Sequence, residues 1–107
     1  MELYIKDRLF FPQLLPQQNN FMDFALKNGI MKKVGISSED QEYYEIVSDP
    51  QNNRITWNVE KDKEKPLVVE FSQDELKYIK KGCEQTADTI APDDFWMLVE
   101  RIYNAIG

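Results

Sequence analysis

The sequence predicts an α+β fold, organised as a single globular domain over residues 1–107. Short runs of alternating apolar and polar residues predict strands, whereas capping signals followed by apolar stripes at helical spacing predict helices. Hydrophobic residues make up 42% of the chain, which is enough for one core without disulfides. We expect a small, mainly antiparallel sheet, formed by an N-terminal strand, a hairpin and a third strand, packed against three main helices.

The N-terminal strand is predicted from alternation. Leu3 and Ile5 lie on one side of the segment Glu2–Lys6 and polar residues on the other, and the period of two continues to Phe11. The strand must end by Pro12, because proline has no amide to donate to a sheet. A short turn packed down by two leucines then leads to the first helix.

The middle of the chain is rich in β-branched and aromatic residues. Tyr44–Ser48 and Arg54–Val59 are predicted as the two strands of a hairpin, joined by the turn-forming segment Asp49–Asn53. Alternating acids and bases predict a solvated loop over Glu60–Lys65. Leu67–Phe71 follows as the third strand.

The first helix is predicted from an N-cap and a periodic apolar pattern. Asn20 is the candidate cap of a helix from Phe21 to Lys33 that continues through Gly29 at a cost of about 1 kcal/mol. The predicted core face of this helix consists of Phe21, Phe24, Ala25, Leu26 and Ile30. A short acidic helix over Glu39–Tyr44 follows, capped by Ser37 or Ser38.

The two C-terminal helices have the clearest start signals. Ser72 and Glu75 have the spacing of a capping box, and Phe71 and Leu76 that of a hydrophobic staple. The core stripe predicted from this start is Leu76, Ile79, Cys83 and Ala87. The last helix is predicted from Pro92 to Gly107, with Ile90 stapling Phe95 and a core stripe of Phe95, Leu98, Val99, Ile102 and Ile106.

The amino-acid composition makes several classes of function improbable. The chain has no histidine and one cysteine, so histidine-based triads, zinc sites and ordinary proton shuttles are not expected. Residues 1–36 carry five basic and three acidic side chains, whereas residues 37–107 carry eight basic and sixteen acidic ones. Because phosphate binding depends on clustered lysine and arginine, direct nucleic-acid binding is not expected.

The chain is also expected to lie in the cytoplasm. A lone cysteine cannot form an internal disulfide, which favours a reducing compartment, and the N-terminus lacks the pattern of a secretory signal. The longest uncharged stretch, Leu9–Met22, is interrupted by prolines and polar residues, so no membrane association is predicted.

Few residues are candidates for chemistry. Cys83 lies on the predicted buried stripe and has no histidine to activate it, so we expect a core thiol with a raised pKa. The pairs Glu39-Asp40 and Asp93-Asp94 could serve a hydrolase or hold a magnesium ion, but both fall in first turns of predicted helices, where the helix dipole favours acids. We predict no catalytic residue, no cofactor and no metal.

Aromatic residues are the candidates for partner binding. Trp96 and Tyr103 widen the apolar arc of the last helix to about 160°, which indicates cover by the N-terminal segment around Phe10, Phe11, Leu14 and Leu15, or by a partner. Tyr43, Tyr44 and Trp57 surround the predicted hairpin, and they form either an exposed contact patch or a mixture of core and cross-strand packing.

Several segments together resemble a known group of proteins. They are Lys6-Asp7-Arg8-Leu9, Leu14-Leu15-Pro16, Asn20-Phe21, Ile55-Thr56-Trp57-Asn58, and Glu70-Phe71-Ser72 with Glu75, Ile79 and Lys80. Their order resembles that of small uncharacterised proteins encoded by bacteriophages and prophages. The resemblance implies a phage or prophage origin and a bacterial cytoplasm, and it carries over no catalytic residue.

These observations predict a non-enzymatic accessory protein that acts through protein contacts, with a second copy of the chain as one candidate partner. An acidic inhibitor that imitates nucleic acid and occupies a host protein is one alternative, because residues 37–107 are strongly acidic. A small metal-dependent hydrolase that uses only Asp and Glu is the other.

Overall fold

The computed structural model describes residues 1–107 and confirms the α+β class. Six helices and four short strands follow one another in the order β1 (Glu2–Leu3), α1 (Ile5–Leu14), α2 (Phe21–Val34), α3 (Ser38–Tyr43), β2 (Val47–Asp49), β3 (Arg54–Thr56), α4 (Val59–Glu64), β4 (Leu67–Val68), α5 (Gln73–Thr86) and α6 (Asp93–Ile106). No helix combines the length and the apolar composition needed to cross a bilayer.

The four strands form two separate antiparallel pairs instead of one sheet. β1 pairs with β4 in the register Glu2↔Val68 and Leu3↔Leu67. β2 and β3 form the predicted hairpin with shorter strands than expected, because Tyr44 lies at the end of α3 and Val59 begins α4. Val47 lies opposite Thr56, and all but one of the strand residues are exposed. The hairpin therefore stands outside the core, whereas β1 and β4 lie beside it.

The prediction of a strand through Lys6 is wrong after Leu3, because the chain turns into helix α1. Tyr4 takes an extended conformation and caps the helix, and its N–H donates to the Asp7 carboxylate over 2.9 Å. The buried residues of α1 have helical spacing: Ile5, Asp7, Arg8, Phe11 and Leu14. Pro12 lies in the last turn of α1, where its missing amide removes only one helical hydrogen bond.

One hydrophobic cluster of 14 buried residues joins helices α1, α2, α5 and α6. Phe10 of α1 meets Phe95 of α6 edge to face, with ring centroids 5.9 Å apart. Phe11 and Leu14 are fully buried in the same cluster. Helix α1 therefore provides the predicted N-terminal cover at Phe95, whereas Tyr103, which widens the apolar arc of α6, remains 38% exposed.

Helices α5 and α6 agree closely with their sequence signals. Ser72 and Glu75 form the predicted capping box, with Oγ accepting from the Glu75 N–H over 3.1 Å and the carboxylate accepting from the Ser72 N–H over 2.8 Å. Ile79 and Cys83 are buried, but Ala87 is exposed because α5 ends at Thr86. The staple predicted for Ile90 is wrong, because this side chain is fully exposed.

Helix α2 begins at its predicted cap and continues through Gly29. The Asn20 side chain accepts from the Asp23 N–H over 2.8 Å. A Cβ atom at Gly29 would lie 3.3 Å from Oε2 of Glu75, so glycine lets the first turn of α5 approach closely. The same Glu75 carboxylate forms an ion pair with Lys33 at 2.5 Å and joins the two helices.

The middle of the chain contains one predicted helix and one that was not predicted. α3 is the expected short acidic helix, and Ser37 is its cap. The loop predicted over Glu60–Lys65 is instead helix α4, because Asn58 caps the Lys61 N–H over 3.1 Å. Asp62 of α4 is buried and accepts from the Ile5 N–H over 3.0 Å, which fixes α4 against the start of α1.

Candidate functional site

The N-terminal half of helix α2 turns its largest apolar side chains towards solvent. Phe21 is 80% exposed, Met22 70% and Phe24 52%, and the neighbouring Ala25 is also exposed. These four residues are called the α2 face below. The prediction that Phe21, Phe24 and Ala25 face the core is wrong. The stripe that meets the core runs along the other side of the helix and consists of Leu26, Ile30 and Val34.

Polar contacts hold α2 in this orientation. Lys27 donates to the Pro16 carbonyl over 2.9 Å, and Asp23 forms an ion pair with Lys81 of α5 at 3.3 Å. Lys33 donates to Glu75 and to the Glu70 carbonyl. Because contacts at both ends of α2 fix its rotation, the apolar side chains on the opposite surface stay exposed.

A cleft of about 550 Å³ continues from the α2 face. Met22, Ala25 and Leu26 line one wall, and the other wall is the start of α5, with Ser72, Asp74 and Glu75. Burial acts to raise the pKa of Glu75, but hydrogen bonds from the Lys33 ammonium and the Ser72 N–H have the larger combined effect and hold it below 4.5. One wall of the cleft therefore carries an ionised carboxylate, and the opposite wall is apolar.

Trp96 and Tyr103, two of the predicted contact residues, come together in a groove of about 460 Å³ between α5 and α6, called the α5/α6 groove below. Its lining residues are Cys83, Glu84, Ala87, Trp96, Val99, Glu100, Tyr103 and Asn104. The Lys80 ammonium lies 5.5 Å from the centre of the Tyr103 ring. Cys83 is buried at the edge of the core, and burial raises the pKa of its thiol to about 11, as expected for a core thiol.

Tyr43, Tyr44 and Trp57 do not share one exposed surface. Tyr44 is only 5% exposed, and its hydroxyl donates to the Lys65 carbonyl, which excludes it from an exposed contact patch and agrees with the alternative of a mixture of core and surface residues. Trp57 is half-buried. Tyr43 remains 42% exposed, and the ammonium groups of Lys61 and Lys65 each lie 5.3 Å from its ring centre.

Sequence reasoning missed a cluster of buried charges at the start of α1. Arg8 donates to the Val34 carbonyl over 2.9 Å, to the Gly35 carbonyl over 2.6 Å and to the Asp40 carboxylate over 2.7 Å. Asp7 pairs with Arg101 of α6. Every buried polar side-chain atom has a hydrogen-bond partner. This cluster is closed within the molecule, and its only signal in the sequence is Lys6-Asp7-Arg8 within a helical apolar pattern.

The carboxylate pairs considered for metal chemistry lie in first turns of helices, as predicted. Asp40 bonds to Arg8, and Asp94 forms an ion pair with Lys6. Burial acts to raise the pKa of Asp40, but hydrogen bonds from Arg8 and the Ser37 N–H outweigh it and lower the pKa below 3.8. No group of three or more Asp, Glu or Cys side chains is placed to hold a metal ion.

Comparison of the chain with protein-family models, curated protein sequences and solved structures gave no match. The geometry of the α2 face and of the α5/α6 groove is therefore the basis for inferring a function.

Proposed function

We propose that this protein is a non-enzymatic accessory protein that acts through protein contacts, and that the α2 face is its main contact surface. The observation that carries the proposal is the exposure of three large apolar side chains on one rigid half-helix, Phe21, Met22 and Phe24.

The exposed area is large enough to matter for binding. Phe21, Met22 and Phe24 together expose about 400 Å², taking roughly 200 Å² for each full side chain, and patches of this size on monomers are often functional. Burying that area is worth about 10 kcal/mol before the cost of association, which is of similar size. The α2 face can therefore anchor a contact, and the rest of the affinity must come from the surrounding residues.

The spacing favours insertion of α2 into an apolar groove of the partner. Phe21, Phe24 and Ala25 stand at i, i+3 and i+4, which are three of the apolar positions typical of a helix that binds in a groove. The wall of the cleft beside this face carries the exposed carboxylate of Asp74. A groove with a basic edge would therefore complement both the shape and the charge of this surface.

Photo-crosslinking in bacterial cells tests the proposal. A photoreactive phenylalanine analogue in place of Phe21 is expected to give a discrete crosslinked band, and Phe24→Ser is expected to weaken it. The same analogue in place of Ile90, which is equally accessible but stands outside the α2 face, is the matched control. A band at twice the chain mass would identify a second copy as the partner. Equal crosslinking from both positions, or none from position 21, would overturn the proposal.

The narrower ideas from the sequence stay predictions. These are the phage or prophage origin, the bacterial cytoplasm as location, the acidic inhibitor and the metal-dependent hydrolase.

A further inference from the structure

The α5/α6 groove is a second apolar surface, on different helices from the α2 face. Its floor combines the buried Cys83 and Val99 with Ala87, and its aromatic side is formed by Trp96 and Tyr103. None of these residues belongs to the α2 face, so the groove is independent of the function proposed above.

The groove runs along the helix and is not a round pocket. The residues that α6 contributes stand at i, i+3, i+4, i+7 and i+8, namely Trp96, Val99, Glu100, Tyr103 and Asn104. This stripe extends for two turns, or about 10 Å along the helix axis. An elongated occupant, such as a helix of a partner, matches this shape better than a compact small molecule.

Both charged side chains that line the groove are acidic. Glu84 and Glu100 are both exposed, and the groove lining contains no lysine or arginine. Neither carboxylate takes part in any of the chain's six ion pairs. An occupant with an apolar centre and cationic edges would therefore meet both an apolar floor and two free carboxylates.

Tyr103 already holds a cation. The Lys80 ammonium lies 5.5 Å from its ring centre, at the distance of a cation–π contact. Lys80 therefore occupies this end of the groove, so the cationic side chains of a partner are matched to Glu84 and Glu100 instead.

We propose that the α5/α6 groove binds a basic amphipathic helix of a partner protein, with apolar side chains against Cys83, Trp96 and Val99 and cationic side chains beside Glu84 and Glu100.

A synthetic peptide of about 14 residues, with leucine on one helical face and lysine on the other, is a suitable probe. Titration into the isotopically labelled full chain is expected to shift the NMR signals of Trp96, Val99 and Tyr103 in a saturable way. The double variant Glu84→Gln/Glu100→Gln should weaken the affinity about fivefold, because it removes two partly exposed charge pairs. Tyr103→Ser should also weaken it.

Matched variants separate this proposal from simple attraction to an acidic protein. Glu39→Gln/Glu42→Gln removes the same charge from α3 and is expected to leave the affinity unchanged. Phe21→Ser/Phe24→Ser should bind the peptide like the unmodified chain, whatever happens to the α2 face. No saturable binding, signal shifts spread over the surface, equal loss in the α3 variant, or equal binding of a leucine–glutamate peptide would each overturn the proposal.

Discussion

Helices α1 and α2 depart from the usual division of residues between core and surface in opposite ways. α1 buries charged side chains, since Asp7 and Arg8 are nearly inaccessible. α2 exposes aromatic ones, since Phe21 and Phe24 face solvent. In α1 the buried groups all have partners within the chain. The apolar side chains of the α2 face are not covered by other parts of the chain.

The difference separates residues that maintain the fold from residues available for binding. A buried charge is tolerated only when other groups of the same molecule pair with it, so it contributes to the fold and is not available to a partner. An exposed aromatic side chain contributes little to the fold and gains free energy only when another surface covers it. Substitutions in the two helices should therefore have opposite effects on stability and on binding.

The largest loss of stability is expected from Arg8→Ala. Three acceptors, the carbonyls of Val34 and Gly35 and the carboxylate of Asp40, would lose their donor. Removing one member of a buried, charged network typically costs about 3–5 kcal/mol in the free energy of unfolding. Denaturant titration followed by circular dichroism measures this change in the free energy of unfolding.

The control for this experiment is Lys6→Ala, on the same helix. Its ion pair with Asp94 is half-exposed on both sides, and such pairs contribute under about 1 kcal/mol. Equal losses in the two variants would contradict the special role of the buried cluster.

A smaller loss is expected from Gly82→Ala, where α5 meets the end of α1. A Cβ atom at position 82 would lie 2.3 Å from the Leu14 carbonyl oxygen, which is too close without backbone movement. Overpacking of this kind costs about 1–3 kcal/mol, although alanine favours the helix itself. Gln85→Ala, at an exposed position of the same helix, should leave the midpoint of denaturation almost unchanged. A stabilised Gly82→Ala variant would show that α5 does not approach the end of α1 closely.

The sequence predicted the parts of the fold whose signals are local. Ser72 and Glu75 specify the start of α5 within four residues, and α6 has an uninterrupted apolar stripe. α1 was missed because Leu3, Ile5 and Phe11 satisfy a period of two, whereas the buried face of the helix includes the charged Asp7 and Arg8. The deciding contact comes from Asp62, which accepts the Ile5 N–H from a position 57 residues away in the chain.

The candidate site was predictable only in part, for a related reason. The wide arc of α6 pointed to Trp96 and Tyr103, which do line one groove. In α2 the sequence offers two apolar stripes, and periodicity does not say which one meets the core. Both stripes are apolar, and the aliphatic one faces inwards together with the contacts that Lys27 and Lys33 make within the chain.

The pH dependence of stability should distinguish Asp62 from other acids. Burial raises the pKa of Asp62 above 3.8, and the hydrogen bond from Ile5 only partly offsets this. Between the two pKa values, the folded chain keeps a proton that the unfolded chain has released. The contribution of Asp62 to the free energy of unfolding is therefore fully present below pH 3.8 and is lost as the pH rises through the raised pKa. Asp62→Asn keeps an oxygen to accept from Ile5. We therefore expect the variant to gain stability relative to the unmodified chain between pH 4 and pH 7.

Glu75→Gln is the opposite case and serves as the control. The pKa of Glu75 is lowered, so its contribution is full above pH 4.5 and is lost as pH falls. This variant should therefore differ most from the unmodified chain at neutral pH and least in acid. Denaturant titrations across this pH range give both profiles. Parallel profiles for the unmodified chain and Asp62→Asn would contradict the raised pKa.

The smallest effect on stability is expected from Phe21→Ser/Phe24→Ser, although it removes two aromatic rings. Both side chains are more than half exposed, and surface substitutions of this kind usually change the free energy of unfolding by about 0.5 kcal/mol or less each. Ile90→Ser provides the matched measurement at a fully exposed apolar residue outside the α2 face. A loss of several kcal/mol would place the rings in the core and remove the basis for binding at α2. An unchanged denaturation midpoint, together with a weaker crosslink from position 21 in the single variant Phe24→Ser, would mean that binding and not folding is the physical reason for two phenylalanines at the surface.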